Sequence, residues 1–204
     1  MLGLPKSTEV SKQLPKKAIY TKFNMNTSAK ESFDKDVSRI MIVNEISPDT
    51  TTIEKGKEIS SIYVLLISLK QKDFKDSNIT QISKLIKQKM VLVLSYGDEI
   101  KLAIFHNKLI HNDWQPTENC SILLKGRNLD EVWDNIVIQI GGIQVEHGHT
   151  LDEQIAADER QLKLLSEINR LDKQARSENQ PKKKFELVQV INKLKKELED
   201  INHG

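Results

Sequence analysis

Apolar residues at Phe33, Val37, Ile40 and Met41 recur at the i, i+4, i+7, i+8 spacing of one helix face. Ser28 and Glu31 stand at the separation of a capping box, so the pattern predicts a helix from about Ala29 to Asn44. SPDT closes it, because Pro48 disfavours helical geometry at Ser47 and Asp49 favours a turn. The pattern then changes period. Ile59 to Leu69 is rich in β-branched and aliphatic residues, and its run IYVLLI reads as an interior strand covered on both faces. Ile79, Ile82, Leu85 and Ile86 restore helical spacing. MVLVLSYGDEIKLAIFHNKLI reads as a hairpin, with Gly97 and Asp98 supplying the turn.

Asn112 to Gly126 is polar and broken by Pro116, with SILL read as one short further strand. Leu129, Val132, Trp133, Ile136 and Ile140 lie at helix spacing, and Gly141 with Gly142 stops that helix. Beyond the glycine pair the composition turns to Leu, Glu, Lys, Gln and Arg. Apolar residues fall at Leu151, Ile155, Leu162, Leu165, Ile168 and Leu171. Leu187, Ile191, Leu194, Leu198 and Ile201 then step by four, three, four, three, the seam of a left-handed coiled coil. Pro181 lies between these stretches. Inside a continuous helix it would cost about 3 kcal/mol, whereas at a first helical position it fits.

The expected fold class is therefore α+β, a mixed α/β core domain with a C-terminal helical coiled-coil arm. Residues 1–142 form the core, 143–150 a Gly/His linker, and 151–204 the arm. Two antiparallel helices turning near 177–181 are favoured, with a kinked long helix as the alternative. Leu162, Leu165 and Ile168, the core domain, or another chain would have to cover the seam.

At the start of the chain, Pro5 and Pro15 bracket STEVSKQL, where Ser7 or Thr8 is placed to cap a helical turn and Pro15 to start another. Lys6, Glu9, Lys12, Lys16 and Lys17 interrupt every window that could serve as the apolar part of a secretory leader. No stretch approaches the roughly 20 apolar residues of a membrane span. The single cysteine, Cys120, can form neither an internal disulfide nor a cysteine metal cage, which fits a cytoplasmic protein. With 31 basic and 29 acidic side chains the formal charge is only +2. Nucleic-acid contact would thus rest on clusters, here Lys16, Lys17, Lys182, Lys183 and Lys184.

Four blocks carry a family resemblance: MLGLPKSTEVSKQLPKKAIY, SRIMIVNEISPDTTTIEKG, LLISLKQKD and LDKQARSENQPKKKFELVQVINKLKKELE. In this order, spanning nearly the whole chain, they resemble the bacterial family termed "domain of unknown function 4391". The resemblance implies no activity. It implies a gene placed near helicases and DNA methyltransferases of restriction-type defence clusters. Pro181 departs from the pattern of the family's closing block.

That setting prompts a test for a nuclease centre, which needs an Asp and then an acid-x-Lys on a following strand to hold Mg²⁺ and polarise water. Asp49 followed by Ser68-Leu69-Lys70 has the spacing, but a serine hydroxyl is a poor substitute for the second carboxylate. Glu146, His147 and His149, with His106 and His111 upstream, lack the i, i+4 spacing of a helical zinc site and read as linker histidines. No nucleophile elbow and no phosphate loop accompanies the glycines. The chain is accordingly read as non-enzymatic, with no catalytic, metal or cofactor residues. Its expected role is an accessory or assembly protein docking on a helicase or methyltransferase subunit, or on itself, through Leu187, Ile191, Leu194, Leu198 and Ile201. A nucleic-acid-binding or degenerate nuclease-like module using the five clustered lysines is the alternative.

Overall fold

A computed structural model describes residues 2–202, with side chains through Ile201. Residues 1, 203 and 204, at the outer limits of the two expected units, lie outside it. The fold class is α+β. Among the described residues, seven strands make one mixed sheet: β1 (Glu9–Gln13), β2 (Val37–Ile46), β3 (Ile62–Leu69), β4 (Lys89–Tyr96), β5 (Glu99–His106), β6 (Lys108–His111) and β7 (Gln115–Pro116). Strands β1 to β6 lie side by side in chain order, and β7 pairs with β5. Only β3 and β4 run parallel, joined by the crossover helix α3 (Asp76–Ser83); the other pairs are antiparallel.

Helices α1 (Lys16–Lys22), α2 (Thr27–Asp36) and α3 cover one face, burying Ile19, Phe33, Ile79 and Ile82 against Ile40, Leu65, Ile67, Leu92 and Leu94. The fourth helix, α4 (Leu129–Gly141), packs against β5 and β6. Its residues Leu129, Val132, Trp133, Ile136, Val137 and Ile140 are buried and lie outside the first cluster, which places them on the opposite face. The strand IYVLLI sits between β2 and β4, with Ile62, Val64, Leu65 and Ile67 buried, as its unbroken apolar run predicts.

Two expectations for the first half of the chain are corrected. The helix predicted from Ala29 to Asn44 is α2 followed directly by β2, so Val37, Ile40 and Met41 are strand residues. Register shifts between Val37 and Arg39, and again between Ile42 and Asn44, interrupt the two-residue alternation of β2. A bulge inserts an extra residue, so buried Val37 and Ile40 stand three apart and imitate helical spacing. The cap is Asn26, whose Oδ1 accepts from Ala29 N at 2.9 Å, rather than the Ser28/Glu31 pair. Near the start, Lys6–Thr8 forms a single 3₁₀ turn, but the following residues join the sheet as β1. Four of its five residues are exposed, so this edge strand has no apolar alternation to announce it.

Downstream, Gly97 with φ 59° makes the predicted turn between β4 and β5. Asn107, at φ 61°, reverses the chain once more, so HNKLI contributes a separate strand β6. SILL is not a strand. The side chain of Gln139 occupies its backbone, accepting from Leu123 N at 3.0 Å and donating to Leu123 O at 2.9 Å.

The start of α4 is tied to the β2–β3 connection. Asn128 caps the helix by accepting from Asp130 N and Glu131 N, both at 3.1 Å. The carboxylate of Asp130 accepts from Lys57 N at 2.6 Å and Ile59 N at 2.9 Å, with Glu58 N at 3.4 Å. Gly56 makes room for it: a Cβ there would lie 2.2 Å from Asp130 Oδ1. At the other end Gly142, in the left-handed region at φ 60°, terminates the helix.

Compact units divide between Ile143 and Gln144. The second consists of α5 (Leu151–Ser177) and α6 (Pro181–Asn202), which pack against each other. Thr150 and Glu153 form a reciprocal capping box at the start of α5, and Pro181 is the first residue of α6, where its missing N–H costs nothing.

Candidate functional site

The α6 stripe singled out for partner binding faces α5. Ile191 is 5% exposed and clusters with Ile168, Leu171 and Ala175, while Leu187, Leu194 and Leu198 are half-buried against the same group. Ile201 is half-buried near the end of the helix. Leu187, Ile191, Leu194 and Leu198 are therefore seam residues of a hairpin. The α5 side also differs from expectation. Beyond the buried Leu151, Gln154 and Ile155 of its first turns, the buried positions are Leu164, Ile168, Leu171 and Ala175, stepping by four, three and four, whereas Leu162 is 64% exposed and Leu165 is exposed too. Residues two apart on a helix point about 200° from each other, so an inward Leu164 turns Leu162 outward. Arg160 clamps the pair by donating from Nε and Nη2 to Glu197 Oε1, at 3.2 and 2.5 Å.

What the hairpin leaves open lies near its turn. Phe185 is 62% exposed, Val188 and Val190 are exposed, and Lys182, Lys183 and Lys184 precede them with their side chains in solvent. A cleft of about 560 Å³ lies beside them, lined on α6 by Lys183, Glu186, Leu187 and Val190 and on the α5 side by Gln174, Ser177 and Glu178.

In the first unit, the two residues of the tested nuclease pattern are far apart. Asp49 follows the end of β2, and Lys70 follows the end of β3. In the antiparallel register Val37 faces Leu69 and Ile46 faces Ile62, so Asp49 and Lys70 lie at opposite ends of the strand pair. The acid brought next to Lys70 is Asp36, whose backbone carbonyl accepts from Lys70 N at 2.8 Å. Asp36 is buried, and its carboxylate is fully engaged. Oδ1 accepts from Gln71 Nε2 at 2.9 Å, and Oδ2 accepts from Lys75 N at 2.9 Å and Asn78 Nδ2 at 2.7 Å. It anchors the β3–α3 connection to the end of α2. Sequence spacing could not find it, because only the bulged β2–β3 register puts residue 36 beside residue 70. Among the described residues no group of three His, Cys, Asp or Glu side chains is placed to hold a metal ion.

Of the lysines proposed for nucleic-acid contact, Lys16 is committed within the fold. Its ammonium donates to Asp34 Oδ1 and to Val37 O, while Lys17 is exposed. Tyr20 also donates to Asp34 Oδ1, at 2.6 Å. Burial, reinforced by Asp34, pushes the Tyr20 phenol well above its ordinary value. Burial also works to raise the Asp34 carboxyl, but the hydrogen bonds from Lys16 and Tyr20 and the charges of Lys16 and Lys70 outweigh it and hold the group below the usual carboxylate range. His149 lies 3.3 Å from Gln154 Oε1 and His111 lies 3.2 Å from Asn112 O, so each is part of a local hydrogen-bonding arrangement. No helix among the described residues is long and apolar enough to cross a membrane.

A protein-family model described as "Domain of unknown function (DUF4391)" matches residues 2–198. No curated protein and no solved structure matches the chain.

Proposed function

Because the chain belongs to the DUF4391 family, whose description assigns no activity, its role must be read from its own surfaces, and we propose that it is a non-enzymatic accessory protein docking through its helical arm. The setting is a bacterial DNA methyltransferase and helicase system of the restriction type, and the partner is one of those larger subunits. One observation carries the reading. The α5–α6 hairpin uses its regular stripe on itself yet keeps Phe185, Val188 and Val190 in solvent beside three consecutive lysines. An aromatic anchor with aliphatic neighbours and a charged rim is the composition of an interface centre. The lysine rim favours a partner whose apolar patch is bordered by carboxylates, and sets orientation and encounter rate more than affinity.

The test is co-expression of the tagged chain with helicase and DNA methyltransferase subunits of a bacterial restriction-type system. Phe185→Asp with Val188→Asp is expected to abolish co-elution while the thermal transition stays within about 0.5 kcal/mol of the wild type, since both side chains are exposed. Leu194→Asp, in the seam, is expected to lower the stability of the hairpin itself. A complex that survives the Phe185/Val188 change, or no complex with either subunit, would refute docking through this surface.

A further inference from the structure

The α1–α3 face of the sheet carries a second, separate arrangement along β5. Lys101 and Phe105 stand four residues apart on that strand, hence on the same face and about 14 Å from each other, with Ala103 between them. At one end, the Nζ atoms of Lys72 and Lys101 each lie 5.7 Å from the ring centroid of Trp114. Phe74 meets the same indole edge-on, with centroids 6.5 Å apart. At the other end, Lys84 Nζ sits 4.3 Å above the ring of Phe105. Both rings are half-buried, so each still reaches solvent.

Trp114 is fixed from both sides. Asn112 exchanges hydrogen bonds with Leu102, donating from N to Leu102 O at 3.1 Å and accepting at Oδ1 from Leu102 N at 2.7 Å, and Gln115 pairs with Ile100 in the β5–β7 ladder. Lys72 follows the end of β3, and Tyr96, exposed, closes β4, so this corner lies at the carboxyl ends of the parallel strand pair, where open sheets bind ligands. Glu99 is engaged with this lysine set, in an ion pair with Lys72 in which both side chains reach solvent. Such a pair is worth little and exchanges readily for another anion.

We infer that this β5 track, Trp114 with Lys72 and Lys101 and then Phe105 with Lys84, is a binding site for single-stranded nucleic acid. Phosphodiesters meet the ammonium groups, and unpaired bases stack where the rings reach solvent. A duplex hides its base faces and would leave the rings unused. An acidic peptide would satisfy the lysines but not the aromatic surfaces.

The experiment is fluorescence anisotropy of a labelled oligodeoxythymidylate titrated with the full chain. Three phosphate contacts predict a roughly twentyfold loss of affinity between about 50 and 200 mM salt. Lys72→Ala with Lys101→Ala is expected to weaken binding about tenfold at low salt and to reduce the salt effect to roughly threefold, because one contact remains. Lys84→Ala gives an independent readout at the other end of the track, and unchanged near-ultraviolet circular dichroism certifies the fold of each variant. No binding at low salt, an unaltered salt slope in the double variant, or equal affinity for a duplex of the same length would each overturn the assignment.

Discussion

Replacing Gly56 by Ala tests the clasp between the β2–β3 connection and α4. The backbone at Gly56 lies outside the left-handed region, so alanine is conformationally acceptable there, and the three atoms nearest its Cβ all belong to the carboxylate of Asp130, the closest at 2.2 Å. The carboxylate must withdraw, and it then loses the amides of Lys57 and Ile59, now at 2.6 and 2.9 Å. At about 1 kcal/mol net for each partly solvated bond, the substitution costs about 2 kcal/mol. Asp130→Ala removes the same bonds together with a favourable charge in the first turn of the helix, for about 3 kcal/mol. Removing the Asp130 carboxylate takes away the three atoms nearest the added methyl, so the double variant also costs about 3 kcal/mol and the coupling energy is about −2 kcal/mol. Urea midpoints of the four proteins give the cycle, and hydrogen exchange localises it: the Lys57 and Ile59 amides lose protection in each single variant. Additive costs, or wild-type exchange at those amides in Gly56→Ala, would refute the clasp.

Two further outcomes follow from the packing and electrostatics. Ile191→Ala should destabilise the hairpin by about 2–3 kcal/mol, because it empties the centre of the seam; an unchanged helical melting curve would contradict the α5–α6 packing. Asp34, held below the usual carboxylate range in the fold, contributes stability that is fully present above its unfolded value and is lost as pH falls through the folded one. Lys16→Met should flatten that acid-side dependence in urea midpoints measured from about pH 5 downwards, and an identical slope in the variant would exclude Lys16 as its source.

Several elements are written locally. The α4 helix announces itself through Leu129, Val132, Trp133, Ile136 and Ile140 and ends at a glycine in the left-handed region, so periodicity and terminator agree within a few residues of chain. The same holds for the turn at Gly97, the interior strand IYVLLI, and α6 with its stripe and its opening Pro181. Each rests on short-range stereochemistry or on a face that repeats several times. Tertiary structure decided the rest. Val37 and Ile40 match a helix as well as a bulged strand, and pairing with β3 selects the strand, with Val37, Ile40 and Ile42 buried in one core cluster. The polar residues of β1 join the sheet only because β2 presents a free edge. Asp36, not Asp49, lies beside Lys70 because an antiparallel pair brings the start of one strand to the end of the next. Whether Leu162 or Leu164 faces α6 depends on the rotation of one helix against its partner, and the track of Lys72, Lys84, Lys101, Phe105 and Trp114 assembles from four separate segments. Local spacing carries no information about such long-range juxtapositions, which are set by how whole faces pack.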